Sequence, residues 1–128
     1  MGNPKNPLFS ESVMATFDVP VNTEAFASME SGRKTVYAVV AAPQFEGICS
    51  GDRIEFGSVG AVSVGMVRRY SSLEALVEAE GWQNLVPEAG DASKAISDVR
   101  AVDEWDTAKE QSLGVLALRV RATKRKVH

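Results

Sequence analysis

Lys34 and its neighbour Arg33 lie where a short helical pattern meets a strand pattern, within the segment Ser31–Tyr37. A lysine at such a junction can hold its ammonium group at the lip of a cleft, where it would contact an anionic or carbonyl-bearing ligand. Tyr37 follows three residues later and can donate or accept a proton. The same segment is also compatible with a solvated turn, so the residues alone leave both interpretations open.

The composition argues against catalytic sites that depend on histidine or on several cysteines. The chain has one histidine, His128, and one cysteine, Cys49. Nucleophiles activated by histidine, and zinc sites built from histidines or several cysteines, are therefore not expected. Proton transfer would have to use Lys, Tyr, Asp, Glu or water. We expect no metal and no cofactor, and we interpret Cys49 as a half-buried small hydrophobe.

Charge is unevenly distributed along the chain. From Glu74 to Glu110 there are ten acids and three bases, whereas five bases and no acid follow Glu110. Arg119 and Arg121 are two residues apart in a predicted strand, so they face the same side. With Lys124 they predict a basic stripe that contacts RNA phosphates, the alternative being a solvated tail. The other candidate ligand-binding cations are Arg33, Lys34, Arg53, Arg68 and Arg69.

Length and composition indicate one globular domain. The chain has 128 residues, 45% hydrophobic and 24% charged, which is typical of a folded protein with a single core. No run is long enough for a membrane span, and the first ten residues lack the apolar stretch of a signal peptide, so we expect a cytoplasmic location. We predict a mobile arm over residues 1–12, a folded domain over 13–122 and a basic tail over 123–128.

Hydrophobic periodicity predicts an α+β protein, most simply a small curled sheet or barrel of mostly antiparallel strands with helices packed on it. A glycine-rich hairpin is expected at Gly57–Gly60, and Gly65 suggests a bulge. The predicted strands are Val13–Val19, Thr35–Ala41, Arg53–Phe56, Ala61–Tyr70 and Leu113–Val120. The predicted helices run from Asn22 or Thr23 to Glu30, from Ser72 to Gly81, and from about Asp91 to Val102, the last with an apolar stripe of Ala95, Ile96, Val99 and Val102.

Five sequence blocks, taken in order, resemble the ASCH domain, a branch of the PUA-like superfamily. They extend over most of the chain, and their order and spacing carry the resemblance more than any single block. The blocks are Ser31-Gly32-Arg33-Lys34-Thr35-Val36, Gly51-Asp52-Arg53-Ile54-Glu55-Phe56, Ser72-Leu73-Glu74-Ala75-Leu76 with Glu80-Gly81, Asn84-Leu85-Val86-Pro87, and Leu113-Gly114-Val115-Leu116-Ala117-Leu118.

The resemblance implies a PUA-like β-barrel of about five or six strands, with a cleft lined by the strand that begins with Lys34. The family is linked to RNA binding and processing, and some small members are amidohydrolases of N4-acetylcytidine that use a Lys, a Thr and a Glu. Lys34 matches the Lys and Glu80 best matches the Glu. Tyr37 stands where the Thr, or an acid in the family consensus, is expected, and Val39 stands in place of an arginine.

Three functions are therefore open. The first is binding of RNA or a nucleoside or nucleotide in a cleft marked by Lys34. The second is catalysis by Lys34, Tyr37 and Glu80, as an amidohydrolase of acylated cytidine or a metal-independent ribonuclease. The third is protein interaction through the acidic helical region. Trp82 and Trp105 are potential platforms for stacking bases, although helix anchoring explains them as well.

Overall fold

The computed structural model describes residues 15–20, 22–102 and 105–122. The predicted segments 1–12 and 123–128, with Lys124 and His128, lie outside these residues. The strands are β1 (Thr16–Val19), β2 (Val36–Val40), β3 (Arg53–Phe56), β4 (Ala61–Tyr70) and β5 (Val115–Ala122). The helices are α1 (Thr23–Glu30), α2 (Leu73–Glu80), α3 (Trp82–Leu85), α4 (Ala92–Arg100) and α5 (Thr107–Leu113), with a 3₁₀ turn at Pro43–Phe45.

In this part of the chain, five strands form one sheet in the order β1-β3-β4-β5-β2. β1 pairs with β3 in parallel, and the other neighbours are antiparallel. The sheet curls into a half-barrel flanked by helices, which confirms the predicted α+β class and the small barrel-like architecture. The predicted bulge is also present, because the β4–β5 register shifts between Val64 and Met66, on either side of Gly65.

The inner, concave face of the sheet holds the larger core. Ile54, Phe56 and Leu118 are completely buried there, and the ring of Phe26 from α1 packs 6.0 Å from that of Phe56. A Cβ atom added at Gly60 would lie 2.3 Å from the Phe26 ring. The hairpin glycine is therefore required by this packing, which brings the β3–β4 turn against α1.

The outer face is divided into a covered part and an open part. Residues that pair directly on neighbouring strands share a face, so Val36, Ala38 and Ala117 lie together on the outer face. These three side chains are buried under Leu73, Leu76, Val77 and Leu85 of α2 and α3. Farther along β3, β4 and β5 the outer face is polar and partly exposed.

An ion-pair network holds α2, α4 and α5 together. Arg100 donates to both oxygens of Glu74, at 2.7 and 2.9 Å, and to both oxygens of Glu110, at 3.1 and 2.5 Å. Glu110 is 2% exposed and also accepts from the backbone N–H of Leu73 and from the Trp105 indole. The Arg100 guanidinium lowers the pKa of Glu74 to about 2.

The structure corrects several predicted boundaries. The strand predicted from Leu113 begins at Val115, because Leu113 ends α5 and Gly114 caps it with a φ of 84°. Val102 lies beyond α4 and is 41% exposed, so it does not belong to the apolar stripe of that helix. α3 and α5 were not predicted, since each is too short to show helical periodicity over several turns.

No helix among the described residues combines the length and apolar character needed to cross a lipid bilayer.

Candidate functional site

Lys34 is buried two residues before the start of β2, with 8% of its surface exposed. Its ammonium group donates a hydrogen bond to the backbone carbonyl of Leu85 and lies 5.8 Å from the centre of the Tyr37 ring. The Thr35 N–H donates to the Asn84 carbonyl, which fixes α3 against the start of β2. The interpretation of Lys34 as part of a solvated turn is therefore wrong.

Burial changes the protonation of Lys34. Desolvation lowers its pKa from 10.5 to about 8, partly opposed by the negative charge of Glu88. Glu88 also lies 3.4 Å from Arg33 and accepts a hydrogen bond from Ser28 at 3.2 Å. Arg33 is an exposed partner of this carboxylate, whereas Lys34 is an amine that can exist in both protonation states near neutral pH.

Tyr37 belongs to the inner face of the sheet. It pairs with Leu118 and makes an edge contact with Phe56, with ring centres 5.4 Å apart. It is partly buried against the main core. Lys34 and Tyr37, two of the predicted site residues, are therefore neighbours, with the Lys34 ammonium group near the face of the Tyr37 ring.

Glu80, at the end of α2, has a side chain that is only 5% exposed. The Tyr70 hydroxyl donates to one of its oxygens at 2.6 Å, and the Arg119 Nε lies 3.8 Å from the other. The hydrogen bond to Glu80, with burial, raises the pKa of Tyr70. Glu80 is thus a positioned carboxylate at the border between the covered and open parts of the outer face.

The polar contacts recorded among the described residues do not join Glu80 to Lys34. They are linked indirectly by the segment that follows α2, because the Asn84 amide donates to the Glu80 carbonyl at 2.7 Å while Leu85 accepts from Lys34. The predicted trio Lys34, Tyr37 and Glu80 therefore separates into a Lys34–Tyr37 pair and a Glu80 group.

Four of the predicted cationic residues share the outer face. Arg119 pairs with Met66, Arg121 with Ser63, and Ser63 also with Arg53. Because paired residues point to the same side, these side chains form one surface across β3, β4 and β5. We call the surface carrying Arg53, Arg68, Arg119 and Arg121 the arginine face. Met66, between these arginines, is 43% exposed.

The other predicted cations lie elsewhere. Arg69 alternates with Arg68 along β4 and donates to the Leu113 carbonyl at 2.5 Å, so only Arg68 belongs to the arginine face. Arg33 is paired with Glu88. A shallow pocket of about 400 Å³ is lined by Arg69, Tyr70, Ser71 and the segment 111–114, at the far end of β4.

Cys49 and the two tryptophans have structural surroundings. Cys49 is exposed rather than half-buried, because it lies in a turn where its N–H donates to Asp52. The Asp52 carboxylate raises the pKa of the Cys49 thiol. Trp82 and Trp105 pack against the core beneath the helices, which is the helix-anchoring interpretation of these side chains.

Sequence reasoning missed Tyr70, Ser63 and Met66 as neighbours of the site. The alternation of Arg68 and Tyr70 along one strand was a usable signal, whereas the bulge at Gly65 hides the register of Ser63 relative to Met66. Among the described residues, no group of three or more His, Cys, Asp or Glu side chains is placed to hold a metal ion.

No family model and no curated protein matches the chain. Solved structures share its fold, among them the following two. The crystal structure of hypothetical protein PH0355 superposes with a TM-score of 0.76 and 23% identity, over 84% of this chain and 99% of that one. The solution structure of protein PF0455 from Pyrococcus furiosus gives a TM-score of 0.70 and 23% identity, over 86% and 99%.

Proposed function

We propose that the protein binds RNA, or a nucleoside or nucleotide, on the arginine face and against the adjoining Lys34 and Glu80 groups. The observation that carries the proposal is the convergence of Arg53, Arg68, Arg119 and Arg121 on one face of the sheet. Three neighbouring strands supply these side chains, so the surface is held by the backbone ladder rather than by a loop. The ASCH resemblance supports the same function, and a cytoplasmic location is part of the proposal.

The chemistry of the surface suits a nucleic acid. Guanidinium groups bind phosphate oxygens in a bidentate manner and stack on bases. The exposed thioether of Met66 adds an apolar contact between the arginines. Glu80 can accept a hydrogen bond from a base amino group. A carboxylate has several acceptor sites; the Tyr70 hydroxyl takes one of them, and Arg119 lies at ion-pair distance.

The first experiment is a titration with a panel of modified nucleosides and short single-stranded RNAs, followed by backbone amide signals and by assay for turnover. We expect saturable shifts at residues 32–37 and along the paired segments of β4 and β5. Shifts confined to residues 91–102 and 105–110 would contradict the proposal, and cleaved RNA would indicate a ribonuclease.

Salt dependence tests whether arginines contact phosphates. Each phosphate contact to a single strand contributes a slope of about 0.7 in log affinity against log salt. The double variant Arg119→Gln/Arg121→Gln should lower that slope by about 1.4. The matched control is Lys94→Gln/Lys109→Gln, which removes the same charge from exposed positions on α4 and α5. Equal slopes in both variants would contradict the proposal.

Hydrolysis of acylated cytidine is a second candidate, favoured by the lowered pKa of Lys34. A neutral amine can take the proton of a water that attacks the acyl carbonyl, and a charged one can stabilise the oxyanion. If the protein is such an enzyme, Lys34→Ala should abolish deacetylation of N4-acetylcytidine, and Glu80→Gln should lower the rate while binding persists. Wild-type activity that survives Lys34→Ala would rule out this site.

A substitution at Tyr37 tests the amidohydrolase function most directly. It stands where the resembling amidohydrolases have a Thr, and its ring packs against Phe56. Protein that hydrolyses no acylated cytidine but gains activity with Tyr37→Thr would identify a binding protein on an enzyme scaffold.

A further inference from the structure

Three side chains form a row on the outer face, and the proposed function assigns them no role different from that of the other residues of this face. Arg53 on β3, Ser63 on β4 and Arg121 on β5 are directly paired across the sheet. Neighbouring strands are about 4.8 Å apart, so the two arginine Cα atoms flank the serine at a separation of about 10 Å. Arg119 and Arg68 lie farther along the same strands.

Arg53 has an unused donor in this row. Its Nε atom is buried and has no hydrogen-bond partner in the described part of the chain, while its Nη2 atom lies 3.6 Å from a carboxylate oxygen of Glu55, at the edge of ion-pair distance. A donor atom that is buried without an acceptor is costly. The Arg53 side chain is 33% exposed, so a rotation that brings this donor to a bound anion would be favourable.

Arg121 is the complementary side chain. It is exposed, and within the described ranges no carboxylate forms an ion pair with it. By contrast, Arg119 faces Glu80 and Arg100 faces two glutamates. Ser63 lies between Arg53 and Arg121. Its hydroxyl donates to the Arg121 carbonyl over an Oγ–O distance of 3.3 Å, and the same hydroxyl can rotate to donate to another acceptor.

We propose that Arg53, Ser63 and Arg121 form a subsite for one phosphate group of the ligand. Two guanidinium groups approach the phosphate from opposite sides, and the serine hydroxyl turns from the Arg121 carbonyl to donate to it. The inference rests on the proposed function, because it assigns the phosphate of a bound nucleotide or RNA to this row and leaves the base to the surface around Met66, Tyr70 and Glu80.

The subsite predicts a preference for phosphorylated ligands. Cytidine 5′-monophosphate should bind at least tenfold more tightly than cytidine. The phosphate in this row could be the terminal phosphate of a mononucleotide or a phosphodiester of an RNA chain. A short RNA with a 5′-hydroxyl has only phosphodiesters, so it should bind more tightly than cytidine only if the subsite accepts a phosphodiester. Arg53→Lys keeps the charge but loses the planar fork, so the preference should fall below twofold, and Arg121→Gln should have the same effect.

Inorganic phosphate tests the subsite without a nucleoside. Titration should shift the Nε–Hε signals of Arg53 and Arg121 together and to saturation, with little change at Arg33. Lys94→Gln is the charge control and should leave both measurements unchanged. Because Arg121 is exposed, Arg121→Gln keeps the fold even if Arg53→Lys does not.

The outcomes separate the two proposals. Equal binding of cytidine and its monophosphate, without paired shifts at Arg53 and Arg121, would overturn the subsite and leave nucleoside binding intact. Saturable phosphate shifts at both arginines, with no binding of any nucleoside or RNA, would support the subsite and overturn the proposed function. Shifts spread over all exposed arginines without saturation would overturn the subsite.

Discussion

Arginines in two regions of this molecule have opposite electrostatic surroundings. Under the helices, Arg100 is matched by Glu74 and Glu110, and Glu110 is itself bonded to Trp105. On the arginine face, Arg121 has no carboxylate partner among the described residues, and a donor of Arg53 is buried without an acceptor. The first arrangement is complete without a ligand, whereas the second leaves charge and donors for one. Arg100 is matched closely by two carboxylates. On the arginine face, Arg53 and Arg119 each meet one carboxylate at the edge of ion-pair distance, 3.6 and 3.8 Å away, and Arg121 meets none within the described ranges.

The largest expected effect is on the paired side. Glu110→Gln removes a charge that is 2% exposed and leaves the Arg100 guanidinium undercompensated. Breaking such a buried pair costs about 3 kcal/mol of unfolding free energy, measurable by urea denaturation. Glu78→Gln, on the exposed side of α2, is the control and should cost less than about 0.5 kcal/mol. Similar losses in both variants would show that the network does not hold the helices.

A second effect depends on pH and concerns Lys34. Its folded pKa of about 8 lies below the ordinary 10.5, so between these values the unfolded chain binds more protons than the folded one. Stability should therefore rise with pH across this window, by about 3 kcal/mol in total. Below pH 8 the lysine is protonated in both states, and its contribution is constant.

Lys34→Met isolates this contribution, because every other titratable group is present in both proteins. The unfolding free energy of the wild type minus that of the variant should rise by about 3 kcal/mol as pH rises from 8 to 10.5. A difference that is flat over this range would mean that the lysine is solvated in the folded protein.

The smallest expected effect is on the unpaired side. Arg121→Gln removes an exposed charge without an internal partner, so the unfolding free energy should change by less than about 0.5 kcal/mol. Arg100→Gln, the same substitution on the paired side, should cost several times as much. Equal costs for the two variants would remove the distinction between the two regions.

The strands and caps were accessible to sequence reasoning because their signals are local. β3 and β4 begin and end where alternation and turn residues place them, and Asn22 and Ser72 cap α1 and α2 through their side chains. The parallel pairing of β1 with β3 was not accessible, since it joins residues 16 and 53 without any local signal.

The candidate site was only partly accessible. The sequence predicted which arginines are candidate ligand-binding residues. Which of them share a face depends on the register of three strands and on the bulge at Gly65. The burial of Lys34 depends on α3, a four-residue helix that no periodicity reveals. The role of Glu88 beside Lys34 arises from a turn that follows α3, which brings it close only in the folded chain.

Among the residues that the structure describes, β1 is attached to the sheet along one side, by a four-residue parallel ladder to β3. The Arg53 N–H donates to the Ala15 carbonyl just before that ladder, and the Ala15 N–H donates to Asp52. A short strand at the sheet margin opens by local unfolding more readily than the central strands. Amide hydrogen exchange at Arg53 should therefore be faster than at Leu118. A ligand that fixes the Arg53 side chain should slow that exchange. The exchange rate of the Arg53 amide would therefore measure whether the arginine face is occupied.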